Sequence, residues 1–481
     1  MNILAIDQGT TGTTTALYDR QGQMVDKSYR ELPQIYPQPG WVEHDPERIW
    51  QTVVESIRDL LSRNTLDITA IGITNQRETS ILWNKYTGKP AYNAIVWQCR
   101  RTAEICENLS HHKEKFYTKT GLPIDPYFSG TKIKWLLDRA TEDSKNLLFG
   151  TVDSWLIWKL TGGKNHLSDY SNASRTLLFN ILEKKWDEEL LKILGIPKHI
   201  LPDVQNSIGD FGTVTSIPEL EGIPICGVAG DQQAALFGQT CFEKNQIKNT
   251  YGTGCFVVMN IGEEPVFSKR GLITTLATNS EGNPCYALEG SIFIAGAAIQ
   301  WLRDELTLLQ SASDSEGAAL KVKDNGGVYM VPAFVGLGAP YWNMRARGII
   351  SGITRGTHKN HIIRAALESM AYQTCDVLVA MEEESGKKCE ELMVDGGAVN
   401  NNFLMQFQAD LLNKRVNRPK ITESTSLGAA YMAGLWAGVW KSKDLKQLKA
   451  FDTTFYPKIK KERRTQMLEG WKHAVRQCVT P

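Results

Sequence analysis

Three short stretches set an acidic residue among glycine and small polar neighbours: Asp7-Gln8-Gly9, Gly230-Asp231-Gln232 and Asp395-Gly396-Gly397. Glycine lets a chain turn tightly and admits a ligand close to the backbone. Backbone N–H groups at such turns can hold phosphate oxygens, and a carboxylate beside them can hold Mg²⁺ through water. In ILAIDQGTTGTTTALYD, Gly9 and Gly12 flank Thr10 and Thr11, and hydroxyls continue at Thr13 and Thr14. A phosphate-binding tip and a plain hairpin turn both fit this pattern. Each stretch alone is a common structural turn. Spread over the whole chain, they point to a nucleotide cleft divided between two halves.

Asp231 has the best position for chemistry, because GIPICGVAGDQQAALFG runs from an apolar strand through a small-residue turn into a helix. Asp is also a favoured N-cap, and capping is the plain alternative. Gln232 and Gln233 add hydrogen-bonding groups that a cap does not need. In TNQRETSILW, Arg77 and Glu78 follow an apolar strand. A planar fork of donors beside a pair of acceptors suits the adjacent hydroxyls of a small polyol. A solvated charge pair at a strand end is the alternative. Trp97, Tyr127 and Phe256 fit a hydrophobic core, and they would equally serve as apolar faces for a polyol carbon chain.

Alternating strands and helices must position these groups. DITAIGITNQ, SILWNK and AIVWQ read as strands after the opening hairpin. Between the hairpin and these strands, Asp45 caps a helix with Pro46 at its first position and an apolar stripe of Ile49, Val53, Ile57, Leu60 and Leu61. HIIRAALESMAYQTCDVLVAMEEESG reads as a long buried helix ended by Gly386. KNTYGTGCFVVMNIG, followed by GLITTLA and YALEGSIFIAG, echoes the opening hairpin and its strands. The pattern predicts α/β layers. At 481 residues the chain exceeds one hydrophobic core. Two domains are expected, 1–240 and 241–481.

Composition narrows the classes. A net charge of +1 gives no electrostatic case for nucleic acid or an anionic membrane surface. No apolar stretch is long enough to span a bilayer, and no signal peptide is apparent. Nine scattered cysteines without a CxxC pair indicate neither a disulfide framework nor a zinc site, and favour the cytoplasm. GxxxxGK[ST], a GxGxxG before a helix and HRDxxxxN are all missing, which removes the main support for P-loop, Rossmann and protein-kinase readings.

Nine segments carry a far more particular pattern: DQGTTGTT, GWVEHDP, TNQRET, AIVWQCRRT, PYFSGTKIKWLLD, GDQQAALFGQ, NTYGTGCF, VPAFVGLGAPYW and VDGGAVNNNFLMQFQADLL. In sequence and order they resemble the FGGY family of carbohydrate kinases, specifically its glycerol-phosphorylating members, from residue 3 to about 440. The resemblance implies two ribonuclease-H-like domains of the actin and sugar-kinase fold around a central cleft. It implies ATP-dependent transfer of a phosphoryl group to the 3-hydroxyl of glycerol, with ATP and Mg²⁺. Arg77, Glu78, Tyr127, Asp231 and Gln232 would hold the three hydroxyls. Trp97 and Phe256 would pack on the carbon backbone, and Asp231 would take the proton. Thr10, Thr11, Gly12, Thr14, Thr253, Gly296, Gln300, Gly397 and Asn401 would face the nucleotide, with Asp7 and Asp231 near the metal. A homodimer or higher homo-oligomer is also implied.

The chain departs from the family in two places. Thr14 stands where the family usually carries a basic residue. The segment 206–226 lacks both the Gly-Gly-Thr-Arg loop with which some bacterial members bind fructose 1,6-bisphosphate and the histidine that the phosphocarrier protein phosphorylates in others. Two rival readings are a sibling kinase for a pentulose or gluconate and an actin- or chaperone-like ATPase. The polyol constellation argues against the second, and the fold alone separates neither.

Overall fold

A computed structural model describes residues 1–64 and 67–479. The opening residues form an antiparallel meander of β1 (Asn2–Gln8), β2 (Gly12–Tyr18) and β3 (Met24–Glu31), followed by α1 (Pro46–Arg63). The chain returns as β4 (Ile68–Asn75), parallel to β1, and much later as β5 (Ile225–Gly230), parallel to β4. The spatial order is β5-β4-β1-β2-β3. Side chains alternate between the two faces of each strand. Leu4, Ile6 and Leu17 therefore meet Ile49, Val53, Ile57 and Leu60 of α1, while Ile3, Ala5, Ala16 and Tyr18 face the other way. Asp45 caps α1 as its sequence predicts, accepting from Glu47 N at 2.9 Å. Leu61 lies at the edge of the stripe and is only half-buried.

The second half repeats the plan. After α2 (Asp231–Gly238) come β6 (Ile247–Tyr251), β7 (Cys255–Gly262), β8 (Ile273–Thr278) and β9 (Pro284–Ile292), all in antiparallel pairings. Past α3 (Gly296–Asp304) and α4 (Lys359–Ser385), β10 (Glu391–Asp395) joins parallel to β6. Next come α5 (Asn402–Leu412) and β11 (Arg415–Pro419), then α6 (Ser424–Trp436), and β12 (Phe451–Phe455) on the edge. The order is β8-β9-β7-β6-β10-β11-β12. Without β8 and β12 it is the order of the first sheet, so the echo in the sequence is an echo in topology. Gly386, at φ 70°, ends α4 as expected. The last forty or so residues carry no motif, yet they complete this core. In α7 (Lys461–Val479), Trp471 stacks on Tyr372 at 5.1 Å and donates from Nε1 to Asp376 at 2.6 Å.

One strand is shorter than its sequence suggests. AIVWQ pairs only at Ala94–Ile95, against Glu43–His44. The Cys99 N–H bonds back to the Val96 carbonyl, so the chain turns and Trp97 lies beyond the strand.

The two halves cross through α2 and α6. Although α6 follows β11, it lies on the first sheet, with Leu427, Ala430, Met432 and Ala433 packed among Ile3, Ala5, Ala16 and Ala229. Conversely α2, which follows β5, touches β6 and β7. The helices meet at Gly238 and Gly428. A Cβ at Gly428 would fall on the Ala234 carbonyl oxygen, and one at Gly238 on that of Ser424. Backbone touches backbone there.

Candidate active site

The floor of the cleft starts where β4 ends. Glu78 has φ 60°, a conformation that costs a side-chain-bearing residue roughly 1–3 kcal/mol and is kept where the surroundings enforce it. Here Ser80 Oγ and Ser129 Oγ both donate to its carbonyl at 3.0 Å. The kink turns both side chains inward, leaving Arg77 3% and Glu78 1% exposed. A solvated charge pair is thereby excluded.

Arg77 grips Glu289 of β9 with both terminal nitrogens, at 2.5 and 2.9 Å, and donates from Nη1 to Gln233 at 3.1 Å. Its Nε lies 3.2 Å from Asp231 Oδ1. Arg175 donates from Nε to Glu78 Oε1 at 2.6 Å and from Nη2 to Glu289 at 3.1 Å. Lys248 of β6 reaches Gln232 Oε1 at 2.5 Å and Thr250 Oγ1 at 2.8 Å. Three cations and three carboxylates thus share one buried site. Burial works against the Glu289 charge, but Arg175 and Arg77 outweigh it and hold its carboxyl at about 2. Burial lowers the Lys248 ammonium to about 8, against the pull of Asp395 and Asp231.

Asp231 is not the helix cap. Gly230 takes that position, and Asp231 is the first residue of α2, accepting from Gln232 N at 2.7 Å. Its side chain is 29% exposed, against 2% for Arg77 and 0% for Glu289. Burial still raises its carboxyl pKa, opposed by Arg77 and Lys248. The result is a carboxylate open to the cleft and more basic than a free one. Trp97 closes one side, with its ring 5.6 Å from Tyr127 and 6.1 Å from Phe256. Its Nε1 donates to Thr10 Oγ1 at 2.8 Å, linking floor to hairpin.

Two glycine hairpins form the lip. Gly9 N bonds to Gly12 O, and Gly252 N to Gly254 O, each at 2.9 Å. The Thr11 carbonyl is fastened from behind by Leu32 N at 2.9 Å and Tyr29 Oη at 3.0 Å. Around the second hairpin, α3 begins with Gly296 N bonded to Gly252 O at 3.0 Å, and Gln300 is exposed one turn on. Gly396, at φ 89°, packs against Tyr251 and leads into the exposed Gly397. Asn401 caps α5, accepting from Leu404 N at 2.9 Å. The structure places Thr10, Thr11 and Gly12 on the first hairpin and Thr253 on the second, with Gly296 bonded to that hairpin at the start of α3, Gln300 one turn along α3, Gly397 after Gly396 beside Tyr251, and Asn401 at the start of α5. Thr14 pairs with Asp7 and Tyr29 across the ladder, on the α6 face of β2.

Burial, with repulsion from Asp231 and Glu423, pushes Asp7 up to about 8. Acids crowded in this way suit a bound cation. Among the described residues no three or more His, Cys, Asp or Glu side chains form a metal cage. Mg²⁺ commonly binds through one or two carboxylates, water and substrate phosphates, and Asp7 with Asp231 fits that pattern.

Known proteins share this fold. The N-terminal domain of the FGGY family of carbohydrate kinases matches residues 2–238, and its C-terminal domain matches residues 247–437. The chain belongs to this family. It is 58% identical to the glycerol kinase of Carboxydothermus hydrogenoformans over 485 residues, covering 98% of this chain and 97% of that one. The glycerol kinase of Petrotoga mobilis is 56% identical over the same shares. The structure of Plasmodium falciparum glycerol kinase with ADP superposes with a TM-score of 0.92 at 38% identity, over 100% of this chain and 98% of that one. The xylulose kinase of Lactobacillus acidophilus, at 23% identity and a TM-score of 0.89 over 99% and 97% of the two chains, shares the fold.

Three charged residues of this FGGY site escaped the sequence reading: Arg175, Lys248 and Glu289. Each is a lone charge in an otherwise uncharged segment, NASRTLLF, QIKNTYG and YALEGSIF. Charges in such runs are buried only when paired. That was the available signal.

Proposed function

We propose that this FGGY kinase transfers the γ-phosphoryl group of ATP to the 3-hydroxyl of glycerol, giving sn-glycerol 3-phosphate, the first step of glycerol utilisation. The observation that carries the reading is Asp231, the one member of a six-charge cluster open to the cleft, beside the Arg77–Glu78 fork. Arg77, Glu78, Tyr127 and Gln232 hold the hydroxyls, and Trp97 and Phe256 face the carbon chain. Asp231 accepts the proton of the attacking hydroxyl. The hairpin N–H groups and the hydroxyls of Thr10, Thr11 and Thr253 take the phosphates, with Gly12, Thr14, Gly296, Gln300, Gly397 and Asn401 lining the nucleotide. Mg²⁺, held beside Asp7 and Asp231 through water and the phosphates, supplies charge neutralisation. Phosphoryl transfer has a loose transition state, so positioning and electrostatics do most of the work. Closing the two halves, divided near residue 240, excludes the water that competes for the γ-phosphate.

Release of ADP with and without glycerol tests the proposal. Glycerol is expected to raise the rate far above that with ATP and Mg²⁺ alone, with glycerol 3-phosphate as the product. A rate indifferent to glycerol points instead to an ATPase that drives assembly or client binding.

A further inference from the structure

We propose that Glu289 is a positioning residue for polyol recognition. It is a carboxylate projected from the second sheet that fixes the Arg77 fork, while Arg175 carries the constraint on to Glu78 and Tyr127. The inference rests on the reading of Arg77 and Glu78 as the polyol site.

Glu289 stands on β9, whereas Arg77, Glu78 and Arg175 come from the first half of the chain. Its two oxygens accept one terminal nitrogen of Arg77 each, at 2.5 and 2.9 Å. A two-point contact of this kind fixes the plane of a guanidinium as well as its position. The donors that remain go from Nη1 to Gln233 at 3.1 Å, from Nη2 to Tyr127 Oη at 3.5 Å and from Nε toward Asp231 at 3.2 Å, so the grip of Glu289 sets where all three point. Arg175 then binds Glu289 Oε1 with Nη2 and Glu78 Oε1 with Nε. With Oε1 so engaged, Glu78 presents Oε2, which makes no hydrogen bond among the described residues, as a free acceptor.

The face of the Arg175 guanidinium lies against two rings. Its guanidinium carbon lies 5.4 Å from the Tyr127 ring centre and 5.2 Å from that of Phe128. Its Nη1 is fully buried and unpartnered. One cation thus backs two of the groups assigned to the hydroxyls, Glu78 and Tyr127, and Glu289 backs a third, Arg77. Buried ion clusters are poor stabilisers, because desolvation offsets their attraction, and well-packed apolar residues often do as well. A fixed donor and acceptor geometry is something apolar residues cannot supply.

The full-length Glu289→Gln variant tests the proposal by steady-state kinetics and by calorimetric titration of glycerol and of MgADP. The glycerol KM and Kd are expected to rise roughly tenfold or more, since a charge-assisted two-point contact is lost. The Kd for MgADP is expected to move less than about twofold, a split that separates lost recognition from general damage. Arg175→Lys keeps the charge but lacks a fork that reaches Glu78 and Glu289 together, and the same split is expected. That variant decides the matter if Glu289→Gln shows no cooperative melting. Glu78→Gln is the control for the underlying reading and is expected to weaken glycerol binding on either account. Glycerol binding within about twofold of the parent in folded Glu289→Gln or Arg175→Lys, with Glu78→Gln impaired, overturns the role of Glu289 alone. Unchanged binding in all three overturns the polyol site itself.

Discussion

The floor of the cleft, around Arg77, Glu78 and Glu289, and its lip, around the Thr10–Thr11 and Gly252–Thr253 turns, present hydrogen-bonding groups in opposite ways. On the floor every charged side chain except Asp231 is buried, with Arg77, Glu78, Arg175 and Glu289 tied to one another and Lys248 bonded to Gln232 and Thr250. On the lip the groups are backbone N–H donors and exposed threonine hydroxyls, and Thr14 stands in place of a cation. With glycerol on the floor and the nucleotide at the lip, as proposed, the difference follows from the ligands. Glycerol is small and neutral, so it can be told from water only by hydroxyl direction, and direction requires rigid partners. A polyphosphate has many equivalent acceptors and brings its own Mg²⁺. A ring of modest donors is enough to hold it.

The largest effect that would break this comparison is on the floor. Asp231→Asn is expected to lower kcat by roughly 10²-fold or more, the usual contribution of a general base, while the fold and some glycerol binding persist. Single-turnover phosphoryl transfer and calorimetry check both halves of the statement. Parent-like turnover in the folded variant would leave Asp231 as a partner of Arg77 and nothing more.

A smaller effect belongs to the lip. A basic residue at position 14 could form a charge-assisted bond worth about 1.5–3 kcal/mol, against about 1 kcal/mol for a hydroxyl. Asp7, directly across the ladder, would compete for it. Thr14→Arg is therefore expected to tighten MgADP binding several-fold and leave glycerol nearly untouched. If ADP release limits turnover, kcat falls as well. Titration of MgADP into both proteins decides it, and equal or weaker binding would mean that position 14 does not face the phosphates. The smallest expected effect is none. Fructose 1,6-bisphosphate at millimolar concentration should leave the rate unchanged, because the segment 206–226 has no basic residue to receive it. Clear inhibition would reveal an anion site outside both floor and lip.

What the sequence disclosed, and what it hid, follows the range of the interactions. The cap, proline and stripe of α1 and the glycine that ends α4 depend on neighbours within a few residues, and both helices form as read. The strand at AIVWQ was overdrawn, because a turn bond from Cys99 to Val96 ends it after Ile95. The capping alternative for Asp231 failed because Gly230 already fills that position and Arg77 claims the carboxylate. Glu289 stayed out of sight for another reason. Its partners lie 212 and 114 residues away, and no local spacing reports a pairing at that distance. The placement of α6 on the first sheet is likewise a long-range event. It turns on glycines at 72, 238 and 428, which in sequence look like any others.

The crossing at Gly238 and Gly428 has a mechanical consequence. The two helix backbones touch at these glycines, with Ala234 and Phe237 of α2 packed beside Leu427, Ala430 and Tyr431 of α6, so the pivot is short and close to the helix axes. Asp231 and Gly238 are opposite ends of α2, only about 10 Å apart at 1.5 Å per residue. The floor therefore sits on a short moment arm. A rotation of one half against the other would displace points in proportion to their distance from the axis, and the contact of Glu289 with Arg77 joins the two sheets near that axis. Such a lever keeps its load at the fulcrum and sends its travel to the rim, so closing the halves would move the lip farther than the floor.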